Sequence, residues 1–345
     1  MMFHSRIGRH KRQERWPVLG TTMRALVYTS PRTLSVEDWP RPYAESGEVE
    51  IAVSTAGICG SDVTGFLGRS RRRKPPLILG HELVGRTGTG RRVVADPLMT
   101  CGRCAECVSA RGNLCRNLRL LGMDRTEGCF AEYVILPQGQ VHTAPDQLDD
   151  ARAILAEPLA NVVHLFSLAA LRPGIRLGIV GAGTMGSMVL QMAVRLGVRE
   201  VLVEEVNEPR RAAAEKMGGT LVVNPGSEAR SFAGSGLDIV VDACGTDEAR
   251  QEAFDLCRPG GTVVLLGMAK ERSEINFTAS IRNEHRVLMS FGYTKEDFAR
   301  SLDLLTAGVI DLRPWMAQMA LEEGQTAFER MSCSRGDTLK MILRV

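Results

Sequence analysis

The stretch Ile175-Arg-Leu-Gly-Ile-Val-Gly-Ala-Gly-Thr-Met-Gly186 joins a short apolar run to a glycine-rich turn, and an apolar helical pattern comes directly after it. Its glycines fit G-x-G-x-x-G at Gly181, Gly183 and Gly186. In this setting the glycines allow a tight turn, close approach of the backbone to a pyrophosphate, and close packing of helix on strand. The helix N-terminus offers free amides and a positive dipole end to phosphates. The stretch therefore predicts a parallel-sheet unit that binds a dinucleotide.

An acidic residue should end the second strand of such a unit, about twenty residues beyond the loop, and accept hydrogen bonds from a ribose. Glu205 stands there, directly after Glu204. An acid at this point repels a ribose phosphate, so NAD is favoured over NADP. Arg210, at the start of the next predicted helix, could favour NADP instead, but it could also be simply solvated or contact the ribose. The candidate cofactor residues are Gly181, Gly183, Thr184, Met185, Gly186, Glu205 and Arg210.

Strand and helix patterns alternate from about residue 175 onward, which predicts a parallel sheet with helices on both faces. Predicted strands cover residues 175–180, 200–204, 221–223, 237–241 and 262–266, and predicted helices cover residues 185–196 and 209–217, with another ending at residue 257. The tail predicts helices at 295–306 and 322–331 and a strand at 338–345. This last segment either forms a third small unit or returns to pair with an earlier domain.

The chain before residue 154 has a different organisation, with short strands separated by Gly, Pro and Ser clusters. Predicted strands cover residues 24–28, 34–39, 48–56, 92–95 and 130–136. At 345 residues the chain is too long for one ordinary hydrophobic core, so two domains are expected.

The first 22 residues differ from the rest of the chain, since they carry five basic side chains without strand or helix periodicity. We expect a disordered extension there rather than a nucleic-acid-binding arm, because the net charge of the whole chain is only +3. No secretory signal is recognisable at the start, so the nine cysteines predict thiols in a reducing cytosol. The charge-free stretch 177–194 is long and apolar enough to suggest a membrane span. We reject that interpretation, because its glycine-rich turn would leave backbone groups unpaired in lipid.

Four cysteines at Cys101, Cys104, Cys107 and Cys115 fit C-x2-C-x2-C-x7-C. Four thiolates this close in sequence can complete a tetrahedral zinc shell without a distant ligand. Because sulfur would fill all four positions, no position remains for a substrate. We therefore predict a structural zinc lobe at about residues 98–118, with the chemistry elsewhere.

A second set of potential ligands includes Cys59, after an apolar strand, and His81 and Glu82, in Gly80-His-Glu. Glu157 begins an otherwise apolar helical run in Ala156-Glu-Pro-Leu. Thiolate, imidazole and carboxylate together suit zinc and leave a position for water or substrate. Taken singly, each has an ordinary alternative: a packed cysteine, a core histidine or a carboxylate that caps a helix.

The chain from residue 23 to 345 resembles the zinc-dependent medium-chain dehydrogenases. The motifs that carry the resemblance are Ala56-Gly-Ile-Cys-Gly-Ser-Asp, Gly80-His-Glu, the four-cysteine lobe, Ala156-Glu-Pro-Leu and the glycine loop. The Glu-Pro-Leu segment looks like the sorbitol and sugar-alcohol branch. The resemblance implies an α/β fold: a β-rich GroES-like catalytic domain at 23–154 and a doubly wound Rossmann coenzyme domain at 155–287. Residues 288–345 would return to the catalytic domain.

By that resemblance Cys59 and His81 bind a catalytic zinc, and either Glu82 or Glu157 completes its shell. Asp62 resembles the acid that orients the histidine ligand, and Ser61 resembles the hydroxyl that accepts the alcohol proton. Zinc would polarise the substrate oxygen. The hydride would pass to the nicotinamide ring. The implied cofactors are therefore NAD and two zinc ions per chain.

Three departures from the family pattern limit this interpretation. Where relatives often have a histidine that finishes the proton relay, this chain has Thr64, so the relay would end in water or the cofactor ribose. The segment 83–91 after Gly80-His-Glu is short, which predicts a trimmed surface turn. In sorbitol dehydrogenases an arginine commonly precedes the tyrosine of a pocket segment. The matching stretch here, Phe291-Gly-Tyr293, has no arginine, which disfavours sorbitol itself.

A basic cluster between residues 69 and 74 could favour a phosphorylated substrate, but we expect a solvated loop there. Phe130 and Tyr293 are candidates either for the substrate pocket or for the core. The remaining cysteines are expected to be buried free thiols: Cys129, Cys244, Cys257 and Cys333.

The leading hypothesis is thus a cytoplasmic oxidoreductase that depends on NAD and zinc and acts on a secondary alcohol. The expected substrate is a polyol or sugar derivative, either neutral or phosphorylated. One alternative is an amino-alcohol or threonine-type dehydrogenase. Another is a nucleotide-binding redox sensor without turnover, against which the intact set of candidate catalytic residues argues. By resemblance the chain forms a homodimer or homotetramer, and no nucleic-acid or membrane partner is expected.

Overall fold

The structure, a computed structural model, describes residues 21–124, 126–333 and 336–345. Most of the predicted basic extension at residues 1–22 lies outside these ranges, and Thr22 already begins the first strand. No helix in the described part of the chain is long and apolar enough to cross a membrane. The charge-free stretch 177–194 is divided between a strand, the glycine turn and a helix.

Strands and helices are numbered separately in chain order. The strands are β1 (Thr22–Ser30), β2 (Thr33–Pro40), β3 (Glu48–Ile58), β4 (Leu77–Ile78), β5 (Glu82–Thr87), β6 (Arg92–Ala95), β7 (Leu98–Met99), β8 (Arg119–Leu120), β9 (Tyr133–Pro137), β10 (Val141–Thr143), β11 (Arg176–Val180), β12 (Glu200–Glu204), β13 (Leu221–Val223), β14 (Leu237–Asp242), β15 (Cys257–Leu265), β16 (Arg286–Met289), β17 (Met316–Ala320) and β18 (Lys340–Arg344). The helices are α1 (Gly60–Phe66), α2 (Ala105–Val108), α3 (Asp150–Ala153), α4 (Ala156–Leu168), α5 (Thr184–Leu196), α6 (Glu208–Lys216), α7 (Ser227–Ala233), α8 (Asp247–Asp255), α9 (Phe277–Arg282), α10 (Lys295–Thr306) and α11 (Gly324–Ser332).

The β-rich part of the molecule is organised around the long strand β3. This strand pairs antiparallel with β5, β9 and β18, and the order β10-β6-β5-β3-β18-β17 makes up the main path of its sheet. Strands β2, β1 and β4 form a second sheet, and β7 pairs with β8 in a small hairpin. Apolar side chains of β1, β3 and β5 share one buried cluster with Phe66, Phe130 and Phe328. Cys59 follows the last residue of β3 directly, so this well-packed sheet fixes its position.

The second part of the molecule is a parallel sheet in the order β13-β12-β11-β14-β15-β16. This is the order of a dinucleotide-binding fold, with a crevice beyond the carboxyl ends of the central strands β11 and β14. Alternate residues of β14 enter different clusters: Ile239 and Val241 pack with α4 and α5, while Leu237 and Val240 pack with α7 and α8. Helices therefore cover both faces, as the alternating pattern predicts.

The C-terminal segment returns to the β-rich part. Strand β18 pairs antiparallel with β3, with Ile342 opposite Gly57, and parallel with β17. The first residue of β18, Lys340, is consequently placed beside the end of β3. Of the two alternatives for the tail, the structure has the returning strand.

Candidate active site

Three potential metal ligands meet where β3 and β5 pair. Gly57 of β3 lies opposite Glu82, the first residue of β5, and Cys59 and His81 lie just beyond the two paired positions. One donor atom from each of Cys59, His81 and Glu82 lies within 4.8 Å of the others. A Cβ atom at residue 57 would lie 2.0 Å from Oε2 of Glu82, so glycine is required to make room for this carboxylate. The donor set fits a zinc ion.

Asp62, in the first turn of α1, lies behind these ligands and is fully buried. Its Oδ1 faces Nδ1 of His81 at 3.5 Å, and its Oδ2 accepts a hydrogen bond of 3.2 Å from the backbone amide of Cys59. Burial raises the pKa of Asp62, but the His81 ring and Arg73 outweigh burial and hold that pKa at about 2. A permanently charged acid on Nδ1 leaves Nε2 of His81 for a metal.

Glu157 lies in the first turn of α4 and is buried, but its carboxylate does not belong to the three-donor group. Burial and the neighbouring Glu82, opposed by His81, together raise the pKa of Glu157 to about 7. Its Oε1 accepts a hydrogen bond of 3.4 Å from Asn161, one helical turn away. The structure therefore brings Glu82 closest to Cys59 and His81, with Glu157 beside them.

Lys340 is a charged residue of this site that the sequence motifs do not reveal. It is fully buried, its Nζ donates a hydrogen bond of 3.1 Å to the carbonyl of Ile58, and it forms an ion pair with Glu82. Burial lowers the pKa of Lys340, but Glu82 and Cys59 raise it above its ordinary value. A lone lysine in the apolar strand β18 is the sequence signal that could have pointed to it. Lys340 thus balances the carboxylate that lies among the metal donors.

Ser61 and Thr64 occupy α1 next to Cys59. The Ser61 hydroxyl accepts a hydrogen bond of 3.0 Å from the guanidinium of Arg73. The Thr64 hydroxyl donates a hydrogen bond of 3.1 Å to the Gly60 carbonyl within the helix. Thr64 is therefore engaged in a local backbone contact, in keeping with a relay that does not continue through it.

The four-cysteine lobe brings all four sulfur atoms to one point. Cys101, Cys104, Cys107 and Cys115 each contribute an Sγ within 4.8 Å of the others. Three of the sulfur–sulfur separations are 3.5, 3.9 and 3.9 Å. Zinc–sulfur bonds of about 2.3 Å in a tetrahedron place sulfur atoms about 3.8 Å apart. The donor set thus fits zinc.

Backbone amides favour thiolate in part of this lobe. The amides of Arg103 and Cys104 lower the pKa of Cys101 to about 6, while burial raises the pKa of Cys107 to about 11. The small hairpin of β7 and β8 closes the lobe, and α2 contributes no buried residue. Because α2 has no apolar side chain buried in the core, this part of the lobe needs a central ion to hold its shape.

The glycine loop runs from the end of β11 into α5. Gly181 has φ +97°, a conformation that favours glycine. A Cβ at Gly186 would lie 1.9 Å from the Gly181 carbonyl oxygen, whereas one at Gly183 would meet nothing within 4 Å. The loop is therefore closed on its sheet side and open at Gly183, where a pyrophosphate can approach the amides of α5.

Thr184 and Met185 come next, in the first turn of α5, and are half-buried. The Thr184 hydroxyl donates a hydrogen bond to the carbonyl of Leu339, the residue before β18. This bond ties the glycine loop to the strand that carries Lys340.

Glu205 lies directly after β12 and faces the glycine loop. Its Oε2 accepts a hydrogen bond of 2.8 Å from the Ala182 amide, and its Oε1 accepts one of 2.8 Å from the Asn207 amide. A carboxylate has about four acceptor positions, so two remain for ribose hydroxyls. The backbone amide of Arg210 donates a hydrogen bond to the Asn207 side chain, which caps α6. Within the described residues, the side-chain Nε of Arg210 is buried without a hydrogen-bond partner.

Glu204 is buried on the opposite face of the sheet from the loop, and burial, reinforced by Glu252, raises its pKa from 4.5 to about 7. Between these values the folded protein keeps a proton that the unfolded chain has lost, so stability falls as pH rises through this window. We expect Glu204→Gln to be more stable than the wild type by up to about 3 kcal/mol at pH 8 and nearly equal at pH 4. Denaturant unfolding at both pH values measures this. A gain of equal size at the two pH values would contradict it.

Two pocket candidates from the sequence are now distinguished. Phe130 is fully buried and packs edge-to-face on Phe328, so it belongs to the core. Tyr293 is also buried, and burial together with the carboxyls of Glu157 and Asp96 raises its pKa well above the ordinary value. Tyr293 therefore lies beside the Glu157 carboxylate rather than on an open pocket wall.

Two further expectations are partly wrong. The expected solvated basic loop contains Arg73, which is only 4% exposed, because the side chain passes under α1. All four extra cysteines are unpaired, but Cys333 is exposed and Cys244 is half-buried, since both lie at the ends of elements rather than within the cores. The segment after β5 is a short hairpin to β6, as predicted.

Comparison with known proteins matches both parts of the molecule. Residues 45–146 match the family described as alcohol dehydrogenase GroES-like domain, and residues 184–307 match the zinc-binding dehydrogenase family. Sorbitol dehydrogenase of Bacillus subtilis is 30% identical over 343 residues, covering 93% of this chain and 97% of the relative. L-threonine 3-dehydrogenase of Chelativorans sp. is 34% identical over 279 residues, covering 75% and 80%.

Among solved structures, the alcohol dehydrogenase of Thermus sp. ATN1 is 26% identical with a TM-score of 0.86, covering 94% of this chain and 100% of that one. These likenesses and the site geometry define a zinc-binding dehydrogenase. The chain belongs to the zinc-dependent medium-chain dehydrogenases, in the branch that includes sorbitol and threonine dehydrogenases.

Proposed function

We propose that this protein oxidises a secondary alcohol group of a polyol or sugar derivative and passes the hydride to NAD. The observation that carries the proposal is the meeting of Cys59, His81 and Glu82 within 4.8 Å at one end of the β-rich sheet. The curated relatives named sorbitol dehydrogenase and D-xylulose reductase support a polyol or sugar substrate. A catalytic zinc site keeps one position open for such a substrate.

Each side chain of the site has a distinct task in this reaction. Cys59, His81 and Glu82 would hold the metal, and the buried Glu157 beside them would hold the water or substrate hydroxyl. Asp62 fixes the ring of His81. Bound zinc supplies Lewis-acid polarisation of the substrate oxygen, and bound NAD supplies the hydride acceptor. The Ser61 hydroxyl accepts the alcohol proton and passes its own proton to water or to the cofactor ribose.

The four-cysteine lobe holds the second zinc ion, so we infer two ions per chain with separate roles. Its sulfur–sulfur separations support this assignment, as does the absence of buried residues in α2. The lobe keeps its shape through the metal and takes no part in hydride transfer.

The preference for NAD rests on Glu205, and its loss has a measurable result. Charge-assisted hydrogen bonds of about 1.5–3 kcal/mol correspond to about 10- to 100-fold in affinity. We therefore expect Glu205→Ala to lower kcat/KM for NAD by about that factor and to improve NADP relative to NAD. Steady-state kinetics with both cofactors measures this, with the exposed Glu208→Ala on α6 as control. A wild type that prefers NADP would contradict the assignment.

A second candidate is the oxidation of an amino alcohol or hydroxyamino acid. The observation in its favour is that threonine dehydrogenases are as similar to this chain as the polyol enzymes, at 34% and 30% identity. Both candidates share the metal and cofactor chemistry and differ in the substrate that the pocket accepts.

We also propose a homodimer or homotetramer that uses the outer edge of β16 as an interface. Within the described residues, β16 pairs with β15 alone, and large apolar side chains are exposed along and beside it, at Met289, Ile281 and Phe277. An apolar edge strand is a template for pairing with a second chain. Light scattering in solution measures the mass of the assembly and so tests this proposal.

We also propose a location in the reducing cytosol, which the unpaired thiols support.

The test of the proposed function is NADH formation by the zinc-loaded protein across neutral polyols, sugar phosphates and amino alcohols, with NADP as control. Turnover with polyols or sugar derivatives supports the leading proposal, and turnover confined to amino alcohols selects the second candidate. No turnover with any class would reject both.

A further inference from the structure

Arg73 differs from the other members of the basic cluster in where its charge lies. Arg71 pairs with Glu271 and Arg72 pairs with Asp124, and both pairs are largely exposed at the surface. Arg73 is 4% exposed. A buried guanidinium requires specific partners, because desolvation of an unpaired charge is costly.

The partners of Arg73 are Ser61 and Asp62, two consecutive residues in the first turn of α1. One terminal nitrogen donates a hydrogen bond of 3.0 Å to the hydroxyl of Ser61. Its Nε lies 3.4 Å from Oδ1 of Asp62, and the same Oδ1 faces His81 at 3.5 Å. One guanidinium therefore touches both the proton-accepting hydroxyl and the acid that orients the histidine.

The sequence makes room for this side chain near the C-terminal end of α1, at Gly65. A Cβ atom at Gly65 would lie 2.5 Å from Cδ of Arg73 and 3.1 Å from its Cβ. Glycine is an unfavourable residue inside a helix. Its presence at this point is explained by the arginine stem that passes against the helix.

We propose that Arg73 is a positioning residue of the hydride-transfer site, which fixes the Ser61 hydroxyl and the Asp62 carboxylate together. The inference rests on the proposed function, because it gives Arg73 its task in that reaction. The planar guanidinium can bond two partners at fixed geometry, which a lysine ammonium cannot do equally well.

Arg73 positions and does not carry the proton. A guanidinium has no acceptor and stays protonated. Its hydrogen bond occupies one lone pair of Ser61, which leaves the other lone pair for the alcohol proton and directs the hydroxyl hydrogen away from Arg73. The arginine thereby sets the direction of proton transfer in a chain where Thr64 is bonded to its own helix.

The test compares Arg73→Ala, Arg73→Lys and the surface control Arg72→Ala. We expect Arg73→Ala to lower kcat by about 10- to 100-fold, as for other partners of metal ligands, with KM for NAD within about twofold. Arg73→Lys should be intermediate, and guanidinium ion added to Arg73→Ala should restore part of kcat. Arg72→Ala should match the wild type.

A second measurement needs no turnover. With Co(II) at the Cys59 site, isolated by difference from Cys59→Ser, Arg73→Ala should change the d–d absorption because Asp62 and His81 reorient. Gly65→Ala should give the same spectral change by displacing the arginine while preserving the helix.

An unchanged cobalt spectrum in both variants, or kcat of Arg73→Ala within threefold of the wild type, would overturn the inference. Failure of guanidinium to restore any activity would also count against it. A wild type without turnover on any substrate would reject the proposed function, while the cobalt comparison would still decide the position of Arg73.

Discussion

We expect Cys59→Ser to lose hydride transfer almost completely while the protein stays folded. The thiolate of Cys59 is one of three donors that converge at the end of β3, and serine is a much weaker zinc ligand. Lewis-acid polarisation contributes several kcal/mol to the transition state, and each 1.36 kcal/mol is about tenfold in rate. The loss in kcat/KM should therefore be about a thousandfold or more.

Steady-state kinetics and far-UV circular dichroism measure the two parts of this expectation. The matched control is Cys257→Ser, which replaces a buried thiol in the coenzyme-binding part, remote from both donor sets. The control should retain wild-type turnover. A Cys59→Ser protein that retains turnover would remove Cys59 from the metal site.

For the four-cysteine lobe we expect the opposite pattern, with a large loss of stability and a small direct effect on chemistry. Cys101→Ser removes one of four sulfur donors, and α2, the helix between them, has no buried residue that could replace the ion. Structural zinc contributes a large part of the folding free energy of such segments. The unfolding temperature should fall by about 10 °C or more, since structural zinc contributes about 10 kcal/mol or more and each kcal/mol is worth somewhat over about 1 °C in a chain of 345 residues.

Thermal unfolding with and without a chelator measures this effect, and zinc analysis should show one ion lost per chain. The control is Cys333→Ser, an exposed thiol outside both donor sets. An unchanged unfolding temperature in Cys101→Ser would contradict a structural role for the lobe.

The sequence predicts those parts of the molecule that depend on local spacing. The glycine loop, the alternation of β11 to β15 with their helices, and the four-cysteine set depend on residues close together in the chain. The set of Cys59, His81 and Glu82 is instead predicted from the family resemblance. The helix predicted at 295–306 matches α10 at both ends, because Thr294 and Asp297 form a complete capping box. Two-residue strands such as β4, β7 and β8 carry too little pattern to be predicted.

The supporting charges of the site could not be predicted in the same way, because they come from distant segments. Lys340 reaches Glu82 across more than 250 residues, and Arg73 reaches Ser61 from a loop whose sequence is typical of a solvated segment. A charged residue in an apolar strand and a glycine inside a short helix are weak signals singly. The first depends on the return of β18 to β3, and the second on the packing of the segment around Arg73 against α1.

The choice between Glu82 and Glu157 is a similar case. The sequence leaves both carboxylates open as ligands, whereas the pairing of Gly57 with Glu82 brings the Glu82 carboxylate among the donors. Glu157 lies beside them at the start of α4, where burial keeps its pKa near 7.

Zinc content per chain, measured together with turnover for the wild type, Cys59→Ser and Cys101→Ser, tests the account most directly. We predict two ions in the active wild type, one ion in an inactive but folded Cys59→Ser, and one ion in an unstable Cys101→Ser. One ion in the wild type, unaffected by Cys59→Ser, together with unchanged turnover in that variant, would contradict the assignment of a catalytic zinc site at Cys59, His81 and Glu82.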